Sequence, residues 1–211
     1  MSENSTAARP SLRERKREQT WHAIHEAAAR LALAHDQLAD VSVDTIAEQA
    51  NISQRTFFNY FGSKEDAILG QRPPEIDDEL AAGFVLEEGD DLVEKVAFLL
   101  ISVFRDATAG SGPEQRRALM RKHDVLVRKG MAHVEDVRHL VQDLVVDRLA
   151  EQPRWRGSPD LDDAAQLVIL TASAVMRVAV PKLINASDPA EETVIVRGLT
   201  HIFQEVTRPT P

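Results

Sequence analysis

The sequence predicts an all-α chain, an N-terminal three-helix helix-turn-helix domain followed by a larger helical body, on three observations. Apolar residues recur at helical spacings of three and four along most of the 211 residues. Serine, aspartate, glycine and proline interrupt them where helices start and stop, and no run of alternating β-branched residues lies between turn signals to form a strand. Third, Val43 to Asp66, VDTIAEQANISQRTFFNYFGSKED, reads as two short helices around a tight turn.

The first ten residues, MSENSTAARP, are polar and are expected to be a disordered arm. Arg13, Arg15, Lys16 and Arg17 then place four positive charges within five residues at the head of a helix expected to reach about His35. Its Trp21, Ile24, Ala28 and Leu31 repeat at three, four and three, a stripe to be buried. In the second helix Ser42 is the N-cap, Asp44 favours the helix dipole from the first turn, and Ile46, Ala47 and Ala50 make an apolar face. Asn51 falls at the turn, where a left-handed backbone is needed and asparagine is the best non-glycine residue. Ser53 caps a third helix expected over Gln54 to Phe61, with Gly62 just past its end. Ser63 and Asp66 resemble a capping box for the next helix.

At 100° per residue, Phe57 and Phe61 share one side of the third helix, and Arg55 and Asn59 project from nearly the opposite side. Its first turn carries Gln54, Arg55 and Thr56. These residue types suit base edges: arginine bonds guanine bidentately, glutamine or asparagine bonds adenine, and Phe58 or the Thr56 methyl meets a thymine methyl. The basic cluster of Arg13, Arg15, Lys16 and Arg17 suits a phosphate backbone.

The order of basic segment, long helix and T-I-A-x-x-A-x-I-S-x-x-T-F-F-x-Y-F-x-S-K-E resembles the DNA-binding domain of the tetracycline-repressor-like (TetR/AcrR) transcriptional regulators, from about Arg13 to Leu69. The resemblance implies that Gln54, Arg55, Thr56, Phe58 and Asn59 face bases, and that Ser42, Thr45, Ser53, Tyr60 and Lys64 touch phosphates. It also implies a homodimer. Asn51 stands where that family commonly has glycine, and Phe58 where it often has tyrosine.

The formal net charge of −9 is unevenly spread. Residues 1–64 hold eight Lys or Arg and eight Asp or Glu, whereas residues 65–211 hold 17 against 26. A neutral segment with clustered cations can hold phosphate while an acidic body discourages indiscriminate association. The chain has no cysteine, which excludes disulfides, thiolate zinc sites and thiol catalysis. The most apolar run, Leu167 to Ile184, contains Arg177 and Lys182 and is short for a membrane helix. No secretory signal is read at the amino end. These features lead to the expectation of a cytoplasmic, soluble protein with no membrane association.

Domain boundaries are expected at 1–10 for the arm, 11–69 for the helix-turn-helix domain and 70–211 for an effector-binding and dimerisation domain. In the last, helices are expected at roughly 90–107, 114–129, 133–151, 160–185 and 190–207. Leu167, Leu170, Ala174 and Val178 form one apolar stripe, and Ile195, Leu199, Ile202 and Val206 a second. Together they would close a symmetric four-helix interface between two copies, although the same periodicity also fits packing within one subunit. Phe98, Phe104, Met120, Leu126, Met131 and Trp155 are the candidate lining of an effector pocket, residues that would serve equally as core. Arg177, in an apolar helix, would need an acidic side chain or a ligand anion. His123, His133 and His139 lack metal-site spacing, and no nucleophile motif occurs, so neither metal nor cofactor nor catalytic residue is expected. The function expected is a repressor bound as a dimer to a palindromic double-stranded DNA operator and released by a small-molecule effector. The alternatives are an activator or a regulator without ligand, or a small helical enzyme or adaptor with an incidental helix-turn-helix.

Overall fold

A computed structural model describes residues 11–108, 110, 112–183 and 189–208. The expected arm at 1–10 and the turn signal Ser187-Asp188 lie outside the described residues, as does the end of the helix expected to reach 185. Among the described residues every regular element is helical. The chain divides into two compact units, residues 1–72 with 108–129, and residues 73–107 with 130–211.

In the first unit, α1 (Leu12–Ala34) starts from a capping box in which the Ser11 hydroxyl accepts from the Glu14 N–H and the Glu14 carboxylate accepts from the Ser11 N–H. A short 3₁₀ turn (Leu38–Asp40) leads to α2 (Val43–Gln49), α3 (Gln54–Phe58) and α4 (Lys64–Leu69). Ser42, Ser53 and Ser63 each cap their helix through the side-chain oxygen, as their positions predict. Asn51 adopts φ 54°, the left-handed turn. α3 is shorter than expected: Asn59 is its C-cap, and Tyr60 and Phe61 close against the Phe57 carbonyl. Gly62 does not take the left-handed conformation expected of it. Gly70 does so instead, at φ 59°, ending α4.

The predicted stripe of α1 is buried. Trp21, Ile24, Ala28 and Leu31 pack with Ile46 of α2, with Phe57 and Phe61, and with Ala67, Ile68 and Leu69 of α4. The core is completed by Leu119 from α7 (Pro113–Lys122) and Leu126 from the first turn of α8 (Asp124–Glu151). This contribution from residues 108–129 tightens α4. The Arg116 guanidinium donates to the Leu69 carbonyl at 2.8 Å, Lys129 pairs with Asp66 at 2.8 Å, and Gly110 lies so close to Trp21 that a Cβ there would come within 2.2 Å of the indole.

The break between α7 and α8 falls at His123, not near Gly130 as expected. His123 is extended, its N–H returns to Leu119, and its ring is 2.8 Å from the Ala32 carbonyl. α8 passes through Gly130 without interruption, since a helical glycine weakens a helix without ending it.

The second unit contains α5 (Asp78–Gly83), which was not expected, α6 (Leu92–Ala107), the rest of α8, α9 (Leu161–Leu183) and α10 (Pro189–Thr207). Val96, Leu99, Leu100 and Val103 of α6 meet Val137, Val141, Val145 and Leu149 of α8, with Ala165, Ile169 and Ala172 of α9 and Val196 of α10. Arg148 donates to the carbonyls of Phe84 and Ala81, both at 2.8 Å, and thereby holds the end of α5 to α8.

Candidate nucleic-acid interface

α3 presents two unlike sides. Phe57 and Phe61 are buried at 0% and 2% exposure and stack with ring centroids 6.0 Å apart, Phe61 also lying 5.3 Å from Trp21. Gln54, Arg55 and Asn59 are exposed, and Thr56 is half-buried. Phe58, the residue whose expected contact with a base depended on its pointing outward, is 56% exposed and meets Phe57 edge-on at 5.3 Å.

The turn fixes how this edge is held. Ser53 and Thr56 hydroxyls bond at 2.9 Å, Ser42 and Thr45 hydroxyls at 2.7 Å, and the Gln54 amide bonds the Asp44 carboxylate across the turn. Lys64 donates to the Leu38 and Val41 carbonyls, both at 2.7 Å, which fastens the 3₁₀ turn ahead of α2 to the start of α4. Two of its three protons are committed there, leaving one for another acceptor.

An open groove of about 1100 Å³ runs between the start of α1 and α3, lined by Ser11 to Glu14, Lys16, Arg17, Thr20, Thr56, Asn59 and Tyr60. It brings Arg13, Lys16 and Arg17 of the basic cluster beside Thr56, Asn59 and Tyr60. Arg15 is exposed without lining it. Ser42, Thr45, Ser53, Gln54, Arg55, Phe58 and Lys64 also lie outside the lining.

Residues 24–68 match the family described as "Bacterial regulatory proteins, tetR family". The chain carries a tetR-family DNA-binding domain. The matched segment takes in the carboxyl-terminal half of α1, all of α2 and α3, and the body of α4, the elements that form the capped turn and its two-sided helix. A domain of this family belongs to a DNA-binding regulator and points away from an enzyme. A solved structure, Salmonella enterica GusR, aligns with 88% of this chain and 96% of its own at 22% sequence identity, with a TM-score of 0.40. No curated protein matches. Among the described residues no helix is long and apolar enough to cross a membrane.

Sequence reasoning missed the group that holds α4. The His25 ring, buried in α1, sits 2.7 Å from the Ala67 carbonyl. Burial holds its pKa below the ordinary imidazole value, the Ala67 and Gly110 carbonyls oppose that shift, and the nearby charges of His22 and Arg116 add to it. Burial also pushes Arg116 down to about 10, so it stays charged at neutral pH and faces the negative end of the α4 dipole. Arg72 lies 4.1 Å over the Trp21 ring and pairs with Glu18. A histidine directly after Ile24 on no polar stripe carried no sequence signal for this role, because its partners are backbone carbonyls 42 and 85 residues away.

The candidate effector residues are divided between the two units. Met120 and Leu126 belong with the core of the first unit, whereas Phe98, Phe104 and Trp155 edge the core of the second, and Met131 is 68% exposed. Arg177 is not enclosed by apolar residues; it is exposed on α9 and makes no ion pair among the described residues. Each of the three histidines has its own partner: His123 is bonded to Ala32, His133 lies near Phe104, and His139 pairs with Glu135 at 3.2 Å.

The stripe of α9 is on the surface, with Leu167, Leu170 and Val178 exposed by 65%, 47% and 54% and Ala174 exposed beside them. On α10 the register differs from expectation. Ile195 and Leu199 turn partly inward, and the exposed row is Val194, Gly198, Ile202 and Val206.

Proposed function

We propose that the chain is a homodimeric transcriptional repressor that reads a palindromic operator with α3 and releases it when a small-molecule effector binds. The observation that carries this reading is the exposed edge of Gln54, Arg55, Phe58 and Asn59 on a helix whose Phe57 and Phe61 are locked in the core, within the segment matched to the tetR family. Gln54, Arg55, Thr56, Phe58 and Asn59 then contact bases in the major groove. Arg13, Arg15, Lys16 and Arg17, with Ser42, Thr45, Ser53, Tyr60 and Lys64, contact phosphates and set the register. The groove between the start of α1 and α3 favours this division, because it puts three of the four clustered cations beside the reading helix.

A helix of five residues specifies few base pairs, so useful specificity needs two copies. The exposed rows of α9 and α10 supply the apolar surface for that association; the dimerisation and effector-binding domain is placed at 70–211, of which 108–129 pack with the DNA-binding domain of 11–69 that follows the arm of 1–10. Two half-sites then lie about 34–36 Å apart, or a multiple of that. The effector reading rests on the family resemblance, with Phe98, Phe104 and Trp155, partly buried beside the core of the second unit, as its candidate aromatic residues there. An effector that shifts the dimer by about 1–3 kcal/mol changes operator affinity by about 5- to 150-fold.

The test is selection of genomic DNA fragments on the purified chain, followed by a search for compounds that release them. An inverted repeat among the retained fragments, freed by a compound, is expected. Retention without any shared sequence would end the reading.

A further inference from the structure

The turn between α2 and α3 brings together two polar side chains that are both exposed. Asp44 lies in the first turn of α2 and Gln54 is the first residue of α3, and the Gln54 amide nitrogen donates to the Asp44 carboxylate. The backbone on both sides is fixed. Ser42 and Ser53 cap the two helices, and Asn51 takes the left-handed conformation between them. Asp44 makes no ion pair among the described residues, so an amide and not a cation occupies its carboxylate. A carboxylate is an unfavourable group on an edge that is to meet a polyanion, since it repels each phosphate near it. Its charge at the head of α2 favours the helix dipole, which accounts for an acid there but not for its bond to Gln54.

That bond decides what Gln54 can read. A carboxylate has no proton to give, so only the NH2 end of the amide can face it, and the amide cannot turn over. One of the two N–H donors is spent on Asp44. What remains is one N–H and the carbonyl oxygen, neither of which has a partner among the described residues. In the major groove adenine offers an acceptor at N7 beside a donor at N6, the complement of that pair. Guanine offers two acceptors, N7 and O6. An amide free of Asp44 can turn both of its N–H groups toward them, whereas the tethered amide has one donor left and sets its own oxygen against the second acceptor.

We propose that Asp44 is a positioning residue for base recognition: by holding one N–H of Gln54 it makes that side chain select adenine over guanine at one base pair. Asp44 itself touches no base. The proposal rests on the reading of α3 as the base-contacting helix and adds which residue sets the choice, and for which base.

The test takes an operator selected by the full chain and a panel of duplexes carrying each single base-pair change, with affinities measured by fluorescence anisotropy at one salt concentration. Circular dichroism confirms equal helix content in every variant. Gln54→Ala finds the base pair that Gln54 reads, as the position whose discrimination it removes. There the wild type is expected to prefer adenine over guanine by about 5- to 150-fold, the scale of one bidentate contact. Asp44→Ala and Asp44→Asn are each expected to lower that ratio by about fivefold or more, chiefly by tightening the guanine duplex, with preferences at other positions kept. Asparagine preserves the size of the side chain but meets the Gln54 amide with either end, so it does not fix it. In the Gln54→Ala background Asp44→Asn is expected to change no ratio. An Asp44 that acted only through its charge or on the stability of α2 would shift every duplex by one common factor and leave the ratio unchanged, which would overturn the proposal. So would the lack of an adenine preference at the Gln54 position, or an Asp44→Asn effect on the ratio that persists without Gln54, since that would put the carboxylate on the base itself. Failure to select any operator would overturn the reading of α3, and this proposal with it.

Discussion

Phe57 and Phe58 are adjacent, and the helix gives them opposite surroundings. Replacing Phe57 by alanine empties a site of 0% exposure and is expected to lower unfolding free energy by about 3–5 kcal/mol, whereas Phe58→Ala should leave it within about 0.5 kcal/mol. Chemical denaturation of the two variants checks the contrast. His25 makes a different kind of prediction. Because burial lowers its pKa in the folded chain, the unfolded chain takes up the proton first as pH falls. The contribution of neutral His25 is therefore complete above about pH 6.5 and is lost progressively below it, toward the depressed folded value. His25→Gln removes this titration, so its stability should decline less steeply than wild type between pH 7 and 5, measured as the difference in slope by urea unfolding. An equal slope would mean that His25 is not held neutral by its surroundings.

At the scale of the element, the α2 turn depends on a single left-handed residue. Asn51→Gly should be tolerated, and Asn51→Val, which places a β-branched side chain at φ 54°, is expected to cost about 1–2 kcal/mol or more by thermal unfolding. This element was legible because its determinants are local: Ser42, Asn51, Ser53 and Ser63 act within three or four residues of themselves. The period of Trp21, Ile24, Ala28 and Leu31 was equally readable, since each position faces the same core. The α7 to α8 break was not, because it is made by the ring of His123 against Ala32, 91 residues away, while the nearby Gly130 offered a misleading local signal. The row on α10 was half legible for a related reason. Ile195 and Leu199 satisfy the helical period as well as Val194 and Gly198 do, and a glycine adds nothing to a hydrophobic count even where it marks the exposed ridge.

For the whole molecule, the acidic excess belongs to residues 65–211, and the amino-terminal third is neutral with its cations gathered at the start of α1. Binding to DNA at a few well-placed phosphates should therefore weaken steeply with added salt, while discrimination between sequences should depend on the α3 edge and persist as the common phosphate contribution falls. That division was readable from charge and motif together. The place of residues 108–129 was not, because their attachment through Arg116, Leu119 and Lys129 joins side chains to α4 over some 47 to 63 positions of sequence. The most direct measurement compares affinity for a selected operator with affinity for a scrambled duplex of equal length, at one salt concentration, for wild type and the Arg55→Ala/Asn59→Ala variant. The account predicts a large preference in wild type and its collapse in the folded variant, each lost base contact costing about 1–3 kcal/mol while scrambled-duplex binding stays close to its former value. An unchanged preference in the variant would contradict it.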